Sequence, residues 1–184
     1  MGLFPKPPLP LRARRRAHAP RIGVLVNPTN PALAEVALKD VQVAARTLGL
    51  RFHAVHAATE RDFAAAFESL VQLRANALII GADGFFTSRI ALLAELATRH
   101  ALPAISSYRE FATSGGLLSY GTSLTDAYRQ VGRYTAKILA GEKPAELPVI
   151  QPTKFELVVN LTTAKRFGLA VPVTLQVAAD EVIE

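Results

Sequence analysis

Four short stretches of this 184-residue chain carry groups suited to holding a small polar molecule. The first is "VNPTNP", with Asn27 and Asn30. A helix opening there would aim free N–H groups and a positive dipole end at a carboxylate or phosphate. Asn30 also suits a helix N-cap, with Pro31 as the first helical residue. The second is "GADGFF", where Asp83 could bind a ligand ammonium, coordinate a metal, accept a phosphoryl group or cap the next helix. The third and fourth are "SSYRE" and "SYG". There Tyr108, Arg109, Ser119, Tyr120 and Gly121 offer a guanidinium for bidentate carboxylate binding and rings with polar tips, a set that fits a small zwitterion. The plainer reading of these last two is an Arg109–Glu110 surface pair with Tyr120 in the core.

Covalent chemistry finds little support. The chain has no cysteine, which removes disulfides, thiolate metal sites and cysteine nucleophiles. His53 and His56 lie three apart in a predicted strand, so they face opposite sides and do not share a metal. His100 falls in the last turn of a predicted helix, where its charge suits the dipole. Ser106, Ser107 and Ser119 have no evident base, and no G-x-S-x-G occurs. Neither a Walker A pattern nor G-x-G-x-x-G is present. The expectation is a protein that is not an enzyme and uses no metal or cofactor.

Half the residues are hydrophobic and the apolar runs are short. A globular domain is implied, and no run approaches the ~20 residues that span a bilayer. The net charge is +6, but Lys6, Arg12, Arg14, Arg15 and Arg16 supply five of those charges within residues 1–20. The basicity therefore belongs to a Pro/Arg-rich arm that reads as a solvated or disordered tail, followed by a nearly neutral domain over residues 21–184. The arm has no apolar segment after its basic residues and does not read as a secretory signal.

The candidate groups need elements to hold them. Residues 22–26 have strand length, and Leu33, Ala37, Val41, Ala44 and Leu48 then recur at helical spacing up to a stop at Gly49. "RFHAVHA" alternates like a strand, and Thr59 with Asp62 has capping-box spacing before a helix that buries Phe63, Phe67 and Leu70. "NALIIGAD" is a third strand, and a helix through Ile90, Leu93 and Leu96 leads to a fourth, "PAISS". A short helix around Glu110, a Gly115-Gly116 turn and the strand "LLSYG" follow. Ser123 and Asp126 cap a helix with Leu124, Tyr128, Val131, Thr135 and Ile138 along one side, ending at Gly141. "ELPVIQPTKFELVVN" reads as β, "LTTAKRFG" as a brief helix and the C-terminus as a tail or edge segment. This alternation predicts an α/β fold, a mostly parallel sheet flanked by helices on both faces. Ligands then sit outside the carboxyl ends of the strands, where all four candidate stretches fall.

Taken together, "RIGVLVNPTNP", "GADGFF", "LPAISSYREFATSGGLLSYG", "ILAGEKPAELPVIQPTKFELVVNLTTAKRFGL" and "ADEVIE" resemble the ABC-transporter substrate-binding protein family that includes tryptophan- and tyrosine-type binding proteins. The resemblance runs from about Arg21 to Glu184. It implies a type I periplasmic binding fold, in which two α/β lobes close on a small amino-acid-like ligand and present it to an ABC permease. By position it places Asn27 and Asn30 at the cleft lip and Asp83 in the cleft. It sets Ser106, Ser107, Tyr108, Ser119, Tyr120 and Gly121 near the ligand or hinge. The helix over 124–140 would pack on the other lobe, with "LPVIQPTKFELVV" crossing back.

Family members begin with an export signal or lipid anchor and a first lobe, whereas an arginine-rich arm stands here. The chain accordingly reads as about one lobe, the second, plus return segments. It is periplasmic by resemblance and cytoplasmic if made as written, and a homodimer through the surface left by the missing lobe would rebuild a cleft. Two rival readings are a cytoplasmic small-molecule sensor whose arm contacts nucleic acid and an α/β enzyme using Asp83. The arm is too short for a helix-turn-helix, which weighs against a nucleic-acid partner.

Overall fold

The computed structural model describes residues 19–184. The basic arm lies outside the described residues, apart from its last two positions. Seven strands form a single sheet: β1 (Arg21–Val26), β2 (Arg51–His56), β3 (Ala77–Ile80), β4 (Ala104–Ser106), β5 (Leu118–Thr122), β6 (Phe155–Asn160) and β7 (Glu181–Ile183). Their order is β2-β1-β3-β4-β5-β6-β7. Every neighbouring pair is parallel except β5 with β6. The chain moves outward from β1 to β2 and then returns past β1 to β3, so the sheet reverses its winding between β1 and β3. Such a reversal leaves a crevice at the carboxyl ends of the two strands.

The first two helices are α1 (Pro31–Leu48) and α2 (Glu60–Gln72), and α3 (Gly84–Ser88) and α4 (Ile90–Arg99) follow β3. Next come α5 (Arg109–Thr113), α6 (Leu124–Leu139), α7 (Leu161–Arg166) and α8 (Val173–Ala178). One core dominates. Phe63, Phe67 and Leu70 of α2 join Phe86 of α3, Leu93 and Ala97 of α4, and Phe111 of α5 over Leu25, Leu78 and Ile80 of the strands. The predicted capping of α2 is present, since the Asp62 carboxylate accepts from the N–H groups of Ala58 and Thr59 at 2.9 and 2.8 Å. Gly49 ends α1 in the left-handed conformation, φ 65°, which a glycine adopts without strain.

Two expectations change. The face that α1 turns inward is rotated from the predicted stripe, because Ala45 is its buried residue while Leu33 and Leu48 are exposed. Ala34, Ala37, Leu38 and Val41 are half-buried on the same side of the helix as Ala45. The long β reading of residues 146–160 contracts to β6, preceded by a 3-10 turn at Pro144–Glu146 and irregular chain. Backbone pairing with β5 begins only at Phe155. Of the tail and edge readings of the C-terminus the edge one holds, since α8 leads into β7, which adds to the sheet edge beside β6.

The candidate cleft at the carboxyl edge of the sheet

All four candidate stretches lie at the carboxyl ends of four adjacent parallel strands, β1, β3, β4 and β5. They divide into two clusters. The first bridges the winding reversal. Asn27, which follows β1 and is buried, donates from Nδ2 to Asp83 Oδ1 at 3.0 Å. Asn30 donates from Nδ2 to Asp83 Oδ2 at 3.2 Å. The Phe85 N–H donates to Asp83 Oδ1 at 2.9 Å, so this carboxylate also caps α3. Asn27 Oδ1 in turn accepts from the Thr29 N–H and hydroxyl at 3.0 and 2.7 Å. Asn30 occupies the N-cap position of α1, but its side chain makes no capping bond. Its amide is turned to Asp83 instead, because a buried carboxylate gains more from a donor than a solvated helix end does.

Burial works against ionisation of Asp83. The hydrogen bonds from Asn27, Phe85, Asn30 and Phe86 outweigh it and hold the carboxyl below the usual aspartate range. A cavity of about 10 Å³ remains beside this network, under Leu33, Ala37 and Phe86. That is room for about one water. Asp83 Oδ1 thus accepts two of these hydrogen bonds and Oδ2 one. Among the described residues, no group of three or more His, Asp or Glu side chains could hold a metal.

The second cluster lies farther along the same edge. Ser107, Tyr108, Arg109, Gly121, Thr125 and Glu156 are among the residues around a pocket of about 20 Å³. Gly121 shapes it, since a Cβ there would lie 2.0 Å from the Ser107 carbonyl oxygen. Only a residue without a side chain lets the β4–α5 loop rest on the end of β5. Arg109 pairs with Glu181 of β7, not with its neighbour Glu110. Tyr120 also departs from the core reading: it is 54% exposed and stacks on Phe155 at 5.9 Å between centroids. As the residue between Ser119 and Gly121, it stands on the opposite face of the strand.

Ser106 and Ser119, register partners on β4 and β5, are buried beneath this edge. The Ser106 hydroxyl accepts from the Tyr108 N–H at 3.4 Å, while the Ser119 hydroxyl has no partner in the structure. Asn27, Asn30 and Asp83 are therefore together, as are Ser107, Tyr108 and Gly121, but no residue lines both pockets.

Glu156 and Phe155 were not anticipated. Their stretch was read as β, but the antiparallel pairing that returns the start of β6 to this edge, opposite Gly121 and Thr122, is a tertiary fact. Glu156 is held below the usual glutamate range first by the Ser123 hydroxyl, then by Lys154 and Arg109, with burial opposing.

Comparison with known proteins agrees with this architecture. The family model described as "ABC transporter substrate binding protein" matches residues 17–183. A search of curated proteins returns no match. Among solved structures, a conserved domain protein from Vibrio cholerae O1 biovar El Tor superposes with a TM-score of 0.79 at 22% identity, over 90% of this chain and 55% of its own. An ABC domain in complex with L-Trp from Streptococcus pneumonia gives 0.78 at 20% identity, over 89% and 55%. A ligand-free, open substrate binding protein with adhesive properties from Clostridium difficile gives 0.64 at 22% identity, over 90% and 55%. At these identities the likeness shows the fold, and the chain spans about 55% of the length of these relatives, the extent of one lobe. With the family model matched over nearly its whole length, this chain belongs to the ABC transporter substrate binding protein family.

Proposed function

We propose that the chain is a ligand-bearing lobe of an ABC importer's solute-binding protein. It holds a small amino-acid-like ligand at the carboxyl edge of the sheet and delivers it to a membrane permease. The observation that carries this reading is the convergence of the β1, β3, β4 and β5 loops on one edge, either side of a winding reversal. The L-Trp complex of the pneumococcal neighbour supports the ligand class.

In this reading the residues have different tasks. Asn27, Asn30 and Asp83 form the rigid floor, since both asparagine amides donate to the Asp83 carboxylate. Ser107, Tyr108, Gly121 and Glu156 meet the ligand, with Glu156 facing an ammonium and the Tyr108 ring an apolar side chain. Ser106 and Ser119 support that wall from below, and Tyr120 lies at its outer rim. No bond is made or broken: the ligand selects a closed state because it binds that state better than the open one. The protein acts in the periplasm, where the family meets its permeases.

Calorimetric titration with tryptophan, tyrosine, phenylalanine and the branched aliphatic amino acids tests the reading. Saturable heat for at least one of them, reduced at least tenfold in affinity by Tyr108→Ala, is the expected result. Heats that never saturate for any of the set would contradict it. Turnover that depends on Mg²⁺ and disappears in Asp83→Ala would favour the enzymatic alternative.

A further inference from the structure

The amino ends of β1 and β2, at the opposite end of the sheet from the candidate cleft, border a cavity of about 560 Å³. That volume falls in the range of small-molecule sites. Arg21 from β1, Arg46 from α1 and Arg51 from β2 all line it, together with Gln42, Phe52 and His53. Among the described residues no carboxylate lines the cavity, and no ion pair involves any of the three arginines. Residues 1–20 hold no carboxylate that could balance them either. Local structure accounts for part of this charge. Arg46 lies in the last turn of α1, where a cation suits the helix dipole. Arg21 Nη1 donates to the Leu73 carbonyl at 2.9 Å, at the end of α2. Arg51 has no such task, since its side chain makes no hydrogen bond or ion pair among the described residues. It is also the register partner of Arg21, so two arginines stand side by side on neighbouring strands. Like charges so placed repel.

We propose that this cavity is a second binding site and that it takes a phosphate-bearing anion, held by Arg21, Arg46 and Arg51. An anion among the three relieves the repulsion that the chain itself leaves standing. Phosphate suits them better than a single carboxylate, because a phosphate group carries up to two charges and offers several acceptor oxygens to the planar guanidinium forks. Gln42 adds a neutral amide and Phe52 an apolar wall for the body of the molecule. The way in is open, since β2 is the outermost strand of the sheet and Arg46 and Arg51 are exposed. The six residues of β1 set this site about 20 Å from the loops of the candidate cleft. The two sites share no lining residue, so this one stands whether or not the cleft binds an amino acid. Two sources present the same chemistry, a free phosphate ester and a phospholipid headgroup, and the experiment separates them.

Calorimetric titration of the 184-residue chain with inorganic pyrophosphate tests the site. Salt at about 0.15 M screens attraction to scattered surface charges beyond about 8 Å. Saturable heat is expected, with affinity lowered about tenfold in Arg46→Gln and in Arg51→Gln. Neutralising the arm through Arg12→Gln, Arg14→Gln, Arg15→Gln and Arg16→Gln together should leave that affinity within about twofold. Without ligand, Arg51→Gln should melt no lower than wild type, because it removes a charge that repels Arg21. Sedimentation with vesicles of phosphatidylglycerol and phosphatidylcholine then identifies the source. Vesicle uptake that Arg51→Gln abolishes assigns a lipid headgroup, and pyrophosphate binding without uptake assigns a free phosphate ester. Three results would overturn the site. One is no saturable heat together with no uptake that depends on Arg51. Another is binding lost in the arm variant and kept in Arg46→Gln and Arg51→Gln. The third is a lowered midpoint of Arg51→Gln with unchanged pyrophosphate affinity, the mark of a purely structural arginine. Tryptophan titration of the same variants should match wild type, so a failure here and a failure of the solute-binding reading are read separately.

Discussion

Asn27 Nδ2 lies 3.0 Å from Asp83 Oδ1, and this bond joins the loop after β1 to the loop after β3 at the place where the sheet changes its direction of winding. In many α/β proteins that crevice is open to ligand. Here a buried amide and a buried carboxylate close its floor and link two strands whose loops diverge to opposite faces.

Replacing Asp83 by alanine strands the Asn27 and Asn30 amides and the Phe85 N–H together. Loss of a buried acceptor of this kind costs about 2–3 kcal/mol. Urea unfolding of Asp83→Ala should show a lower midpoint by that amount with an unchanged slope. Asp83→Asn keeps the shape and one acceptor oxygen, so its loss should be smaller. Equal stability of Asp83→Ala and wild type would mean that the network contributes nothing net.

The same carboxylate sets a pH dependence. Its folded-state pKa lies below the ordinary aspartate value, so folding favours the ionised form. The resulting stabilisation is fully present above the unfolded value of about 4 and is lost as pH falls through the folded one. Glu156 and Asp62 are shifted in the same direction and add to the trend. Thermal midpoints should therefore fall as pH is lowered from 5 toward 3, and less steeply in Asp83→Asn. A variant profile parallel to that of wild type would remove Asp83 from the explanation.

Much of this fold was legible in local sequence. The first strand, the Thr59–Asp62 cap, the Phe63, Phe67 and Leu70 face and the seam of α6 all follow from spacing, because the contacts that settle them are near in the chain or repeat along one element. The parallel sheet and its functional edge follow from the alternation of elements. What stayed hidden depends on distant partners. Asn30 reads as a cap until Asp83 is placed opposite it, and Arg109 reads as the mate of Glu110 until β7 brings Glu181 within reach. Glu156 has no local sign of its position at all, since only the reversed direction of β6 returns it to the edge.

Gly121 offers a local test of the second pocket. An added Cβ meets the Ser107 carbonyl oxygen, which is backbone and has little freedom to move aside. Gly121→Ala should cost about 1–3 kcal/mol by overpacking and push the β4–α5 loop away from β5. Ligand affinity should fall with it, while Gly84→Ala, where the Cβ meets nothing, should leave affinity unchanged. Matching behaviour of the two variants would dissociate that loop contact from binding.

Glu156→Gln separates charge from shape at the same pocket. If its carboxylate meets the ligand ammonium, affinity should drop about tenfold, a difference of about 1.4 kcal/mol. The melting midpoint without ligand should fall only slightly, because the amide of glutamine still accepts from the Ser123 hydroxyl and only the charge beside Lys154 is lost. An unchanged affinity would place the ammonium elsewhere.

The central claim, that this chain binds a small amino-acid-like solute, is tested most directly by calorimetric titration of residues 1–184 with tryptophan, paired with a thermal melt of the same sample. The account predicts saturable heat and a raised midpoint, with about 2.7 kcal/mol of added stability at a hundred times the dissociation constant. A cooperative melt that no amino acid shifts, together with titrations that show no saturable heat, would contradict it.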